Sequence, residues 1–160
     1  MANTKVKIGE LAPEFKLPIH SGGEATLKTF AGKNLVLYFY PKDATPGCTL
    51  EARDFSNNLA EFTKLNAVVL GISKDSIESH CKFADKEDLS ILLASDIDGK
   101  VCEEYEVWVE KSMYGKKYMG IDRATFLIDE AGKLRNIWRG VKVAGHTQEV
   151  LKELQSLSKQ

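Results

Sequence analysis

The 160-residue chain has only three cysteines, Cys48, Cys81 and Cys102, and no two of them are spaced Cys-x-x-Cys. So sparse and odd a set excludes a disulfide-stapled scaffold. Nor do the cysteines and the three histidines fall at zinc-ligand spacing, so neither metal nor other cofactor is expected. Charge of either sign is not in excess: 22 Lys and Arg stand against 23 Asp and Glu, leaving −1. A phosphate backbone finds no basic field here, and nucleic acid is not an expected partner. No apolar run approaches the roughly 20 residues that span a bilayer. The opening residues, Met1 to Lys7, are polar and lack an apolar signal core, which makes a cytoplasmic location the expectation. Repeats, low-complexity tracts and linkers are also missing. Residues 1–160 therefore read as one domain, long enough to bury a core.

What is present is an alternation of strand and helix patterns. Residues 35–40, Leu-Val-Leu-Tyr-Phe-Tyr, form a continuous apolar and aromatic run suited to a central strand covered on both faces. Residues 67–73 form a second such run, and 89–95 and 124–128 are further strand candidates. Residues 134–139 alternate like an outer strand, and the turn signal at 129–133 predicts an antiparallel hairpin there. Helical spacing appears over 49–65, through Leu50, Phe55, Leu59, Phe62 and Leu65. It recurs over 76–86, 98–105 and 147–157. The pattern predicts an α/β fold, a thioredoxin-like three-layer sandwich with a central mixed sheet flanked by helices.

Chemistry concentrates in residues 40–49, Tyr-Pro-Lys-Asp-Ala-Thr-Pro-Gly-Cys-Thr. Thr45 is a good N-cap, and its hydroxyl is expected to accept from an amide of the first helical turn. Pro46 then falls at the first helical position, where its missing N–H is harmless. Gly47 allows close backbone approach, and Cys48 lies inside the first turn. Free amides and the positive end of the helix dipole favour a thiolate at that position. Pro41 closes the preceding strand and stiffens the loop. Such a frame is elaborate for a cysteine that merely fills space.

The stretch from Phe39 to Ala52 resembles the active-site motif of peroxiredoxins, and more narrowly that of the bacterioferritin-comigratory, or Q-type, subfamily. The similarity extends to residues 9–15, 71–76, 110–116 and 120–123, and so covers almost the whole chain. The resemblance implies a thiol-dependent peroxidase acting on hydrogen peroxide and organic hydroperoxides, with a thioredoxin-type protein as electron donor and a monomeric state. It implies Cys48 as the peroxidatic nucleophile and Thr45 as the hydroxyl that orients the peroxide. It likewise makes Pro41 the shield of the sulfur and Arg123 the cation that approaches the thiolate.

Attack on peroxide leaves a sulfenic acid that a second thiol must resolve. Many members of the resembled subfamily carry that thiol five residues after the nucleophile, where this chain has Arg53. Others carry it on a later helix, near Ala84 here, and Cys81 shares a helix face with Ala84. Three routes stay open. Cys81 resolves Cys48 in an intramolecular disulfide, an external thiol does so in a one-cysteine mechanism, or Cys102 serves. Buried filler is the simpler role for Cys102.

Other residues read blandly. His80 adjoins Cys81, but helix neighbours point apart, so no dyad is expected. His20 and His146 read as surface residues. Trp108 and Tyr114 frame a segment read as a loop, either lining an access path or packing as aromatics. Glu51 either bonds amides near the site or is solvated. Competing classes are a thiol–disulfide oxidoreductase on the same fold, a binding module with an incidental thiol, and a cysteine hydrolase. The first would need a cysteine where Thr45 stands, and the last a histidine partner.

Overall fold

The computed structural model describes residues 6–158. Two three-residue strands, β1 (Lys16–Pro18) and β2 (Glu24–Thr26), pair antiparallel before the main sheet begins. The apolar run becomes β3 (Asn34–Phe39), which is buried along its whole length. Then come α1 (Pro46–Asn57), α2 (Leu59–Lys64), β4 (Ala67–Ser73), α3 (Ile77–Glu87), β5 (Leu92–Ser95) and α4 (Lys100–Glu104). The chain finishes with β6 (Trp108–Met113), β7 (Lys116–Ile121), β8 (Ala124–Ile128), β9 (Leu134–Trp138) and α5 (His146–Ser158). The sheet order is β5-β4-β3-β8-β9, with β3, β4 and β5 parallel and β8 and β9 antiparallel to their neighbours. This is the expected mixed sheet, and the β8–β9 hairpin is the one the turn signal predicts.

Alternation along β3 divides the core in two, because successive side chains leave opposite faces of the sheet. Leu35, Leu37 and Phe39 point into a cluster with Val101, Cys102 and Tyr105 around α4. Val36 and Tyr38, with Tyr40 just beyond, point into a second cluster with Cys48, Phe55, Phe62, Phe83, Ala84, Val150 and Leu154. So α1, α2, α3 and α5 supply one outer layer, and α4 with the N-terminal segment supplies the other. Phe55 is the joint of the first layer. Its ring stacks on Tyr38 at 4.8 Å and also meets Phe62 and His146.

Several expected boundaries shift for local reasons. The helix read over 49–65 is interrupted at Asn58, whose side-chain amide donates to the Asp54 carbonyl at 2.8 Å and competes with the helical ladder. The strand read over 89–95 begins only at Leu92, because the Leu89 amide bonds the Ala84 carbonyl and the Ser90 amide bonds Ser56. The segment between Trp108 and Tyr114 is not a loop. β6 and β7 form an antiparallel ribbon whose turn, Tyr114-Gly115, has φ 51° and 79°. Two positive φ values suit a tight hairpin turn, and glycine takes one of them without strain. Tyr114 sits at the tip and is 98 % exposed. His146, read as a surface residue, is 2 % exposed and shares a 2.7 Å hydrogen bond with the Thr125 hydroxyl. Burial pulls its pKa down to about 4, with the nearby Arg123 charge acting in the same direction.

Candidate active site

The site is built where β3 ends and α1 begins. Thr45 is extended at the N-cap, Pro46 opens the helix, and the Thr45 carbonyl accepts from the Thr49 amide at 2.8 Å. The expected side-chain cap is not formed. The Thr45 hydroxyl instead turns back and donates to the Lys42 carbonyl at 2.8 Å. The first-turn amides of α1 are thereby left without a side-chain cap. Cys48 lies in that turn, free and 2 % exposed. Pro41, in the loop after β3, is exposed.

Arg123 comes from the two-residue link between β7 and β8, and its guanidinium spans two groups of α1. Nη2 donates to Cys48 Sγ at 3.3 Å, and Nη1 donates to Glu51 Oε1 at 2.7 Å. The close approach needs Gly47, since a Cβ there would lie 3.2 Å from Nη2. Burial works against the arginine's charge, but Glu51 and Cys48 outweigh it and hold its proton more firmly.

Glu51 is the participant whose role the sequence left open. It faces inward one helical turn from Cys48 and is 1 % exposed. Burial drives its pKa up to about 7, although the attraction and hydrogen bond of Arg123 pull the other way. Its second oxygen, Oε2, has no hydrogen-bond partner, and neither has the buried Tyr38 hydroxyl on β3. Burial, followed by Glu51 and Cys48, raises Tyr38 well above the ordinary tyrosine range and keeps it a neutral phenol.

Of the other thiols, Cys81 is partly exposed on α3, and its Sγ donates to the His20 carbonyl at 3.4 Å. His20 is itself half-buried and bonded to β5, since its Nδ1 accepts from the Leu93 amide at 3.1 Å. Cys102 is buried in the cluster on the far side of the sheet, and burial followed by Asp96 raises its thiol pKa strongly. Arg53, five residues after Cys48, pairs with Glu87 of α3 at 3.6 Å. His80 forms no dyad with Cys81. It is fully buried and bonded to Asp43.

A mixed sheet between helical layers, with a helix-start cysteine held by an arginine, defines the class of thiol-based redox enzymes on a thioredoxin-like fold. Comparison with known proteins narrows the class. Residues 8–137 match the AhpC/TSA family. The peroxiredoxin Bcp of Bacillus subtilis is 47 % identical over 153 residues, covering 96 % of this chain and 98 % of the relative. The peroxiredoxin Bcp of Escherichia coli is 44 % identical over 146 residues, covering 91 % and 94 %. Among solved structures, the Xanthomonas campestris bacterioferritin comigratory protein, described for alkyl peroxide reduction, aligns with TM-score 0.87 at 42 % identity, covering 96 % of this chain and 98 % of its own. A cysteine-to-serine variant of Xylella fastidiosa PrxQ aligns with TM-score 0.92 at 38 % identity, covering 98 % and 99 %. The chain belongs to the AhpC/TSA family and, within it, to the bacterioferritin-comigratory, Q-type peroxiredoxins. It is a thiol peroxidase. No helix among the described residues is long and apolar enough to cross a membrane.

Proposed function

We propose that Cys48 is the nucleophile of this peroxidase and that Arg123, Thr45 and Pro41 form its pocket. The observation that carries the assignment is the 3.3 Å contact from Arg123 Nη2 to Cys48 Sγ, in a guanidinium fixed from behind by Glu51. The Cys48 thiolate attacks one peroxide oxygen, the S–O bond forms as the O–O bond breaks, and hydroxide or alkoxide leaves to take a proton from water. Cys48 becomes a sulfenic acid. Charge spreading over sulfur and both oxygens meets Arg123 and the uncapped amides of α1, donors already in place before the reaction. The Thr45 hydroxyl spends its hydrogen on Lys42 and keeps its lone pairs free to accept from the peroxide O–H. Pro41 would limit access of water to the sulfur.

Cys81 is the favoured resolving thiol. Its helix packs on the same sheet face as Cys48, whereas Cys102 lies behind the sheet. Its attack on the sulfenic acid releases water and forms an intramolecular disulfide, which a thioredoxin-type dithiol then reduces. The start of α1 must open for this, because Cys48 is buried and Cys81 is engaged with His20. That engagement also favours a second reading, in which an external thiol resolves Cys48 directly. The enzyme is taken to work on hydrogen peroxide and organic hydroperoxides as a monomeric single domain, residues 1–160, in the cytoplasm. The family resemblance supports the substrates, the donor and the monomeric state.

The test is peroxide consumption with a thioredoxin system as reductant. Cys48→Ser is expected to abolish turnover, and Arg123→Ala to lower kcat/KM by about 100-fold or more, as for loss of a preorganised donor. Undiminished turnover in Cys48→Ser would sink the assignment.

A further inference from the structure

One buried carboxylate ties down the loop that leads into Cys48. The Asp43 backbone amide donates to Asp75 Oδ2 at 2.8 Å, and the Ser73 hydroxyl donates to that same oxygen at 2.6 Å. Asp43 Oδ1 accepts from the Tyr40 hydroxyl at 2.5 Å, and Oδ2 accepts from the Ser79 hydroxyl at 2.7 Å. His80 Nδ1 lies 2.7 Å from Oδ2. Three parts of the chain thus converge on Asp43: the loop after β3, the loop after β4, and α3.

The other ring nitrogen of His80, Nε2, lies 2.9 Å from the Ala94 carbonyl of β5. The Tyr40 hydroxyl lies 3.4 Å from Nδ1 as well, so both ring nitrogens have protein partners and the ring is held at each end. The contact between Asp43 and His80 is shut off from water, with the histidine side chain fully buried and the aspartate nearly so. Burial alone would raise the Asp43 carboxyl, but the bonds from His80, Tyr40 and Ser79 prevail and hold it below its ordinary value. Asp43, Asp75 and His80 bring ligand atoms within 4.8 Å of one another, a spacing a metal could use. Those atoms are already engaged by protein hydrogen bonds, so the cluster reads as a clamp.

The residue after Asp43 shows what the clamp holds. Ala44 is left-handed, with φ 63°, a conformation an alanine keeps only where its surroundings over-determine it. Thr45 and Pro46 follow at once, and Cys48 lies one turn on. Cys81 adjoins His80 on α3. We propose that Asp43 and His80 are positioning residues of the peroxidase, a buried hydrogen-bonded pair that clamps the loop into Cys48 onto the helix of Cys81 and fixes the reacting geometry. The proposal rests on Cys48 being the nucleophile.

Steady-state kinetics with hydrogen peroxide and nitrogen NMR of the histidine rings test it on the full chain. Asp43→Asn keeps the shape but removes the carboxylate that the Tyr40, Ser79 and His80 side chains share. It and His80→Gln are each expected to lower kcat/KM for peroxide by about 10- to 100-fold, the scale of a displaced reacting group. The double variant should lose no more than the worse single one, since the two act as a unit. Turnover at saturating peroxide, set by reductant, should change less than kcat/KM. In the native chain the His80 ring should show both nitrogens hydrogen-bonded and slow to exchange with solvent, and the Nδ1 signal should move in Asp43→Asn. A native kcat/KM in Asp43→Asn, additive losses in the double variant, or a native His80 ring whose nitrogens exchange freely with solvent overturns the proposal. If His80→Gln does not fold, Asp43→Asn and the ring signature decide alone. Peroxide turnover surviving in Cys48→Ser overturns the nucleophile assignment instead, and the ring signature is read independently of it.

Discussion

At the scale of single residues, Glu51 and Gly47 do the most to shape the surroundings of Cys48. Between about pH 4.5 and 7 the folded chain keeps a proton on Glu51 that the unfolded chain has released. Stability from this group therefore falls as pH rises through that window, by on the order of 3 kcal/mol in total. His146 acts with the opposite sign. Its pKa drops from 6.5 to about 4 on folding, so its contribution is present above 6.5 and is lost as pH falls toward 4. Glu51→Gln is expected to remove the falling limb, seen as a rising difference between variant and native urea midpoints across the window. A pH-independent difference would refute the Glu51 account. Gly47→Ala separates function from stability. Its Cβ would press Arg123 Nη2 at 3.2 Å, so kcat/KM should fall about tenfold. The helix itself should gain a few tenths of a kcal/mol from alanine. Cys48, Arg123 and the framing Pro and Gly were legible because the motif is contiguous or matches the family. Glu51 was ambiguous, because a glutamate in a helix is usually solvated and only the fold shows its inward face.

At the scale of elements, the long apolar runs and the β8–β9 hairpin were readable because burial on both faces and a turn signal leave plain traces. The β6–β7 ribbon was not. Its residues are mostly exposed or half-exposed, so no apolar alternation marks it, and Tyr114-Gly115 was the one local clue. The break at Asn58 was hidden for a different reason: Leu59 and Phe62 continue the apolar spacing across it. Helix α1 bears Cys48, and Phe55, two turns further on in the same buried cluster, attaches it to the sheet. Phe55→Ala should cost about 3–5 kcal/mol in denaturant unfolding, typical of a deleted buried aromatic. A cost below about 1 kcal/mol would mean that the Tyr38, Phe62 and His146 contacts do not hold α1 to the sheet.

On the scale of the whole molecule, the sheet sorts the thiols. Cys48 and the helix of Cys81 share one face, and Cys102 lies behind the other. Peptide mass mapping after one equivalent of peroxide should therefore find Cys48 linked to Cys81 and Cys102 unmodified. Sulfenic acid persisting on Cys48 with Cys81 free, passing to sulfinic acid when a second equivalent is added, would instead point to the one-cysteine route. The three burials also make the chain its own stopwatch. A bulky alkylating reagent can reach Cys48 only when the start of α1 lifts from the sheet, so its labelling rate should level off with reagent concentration at the opening rate. Partly exposed Cys81 supplies the fast internal standard. Cys102, released only by global unfolding, marks the slow end of the same time axis.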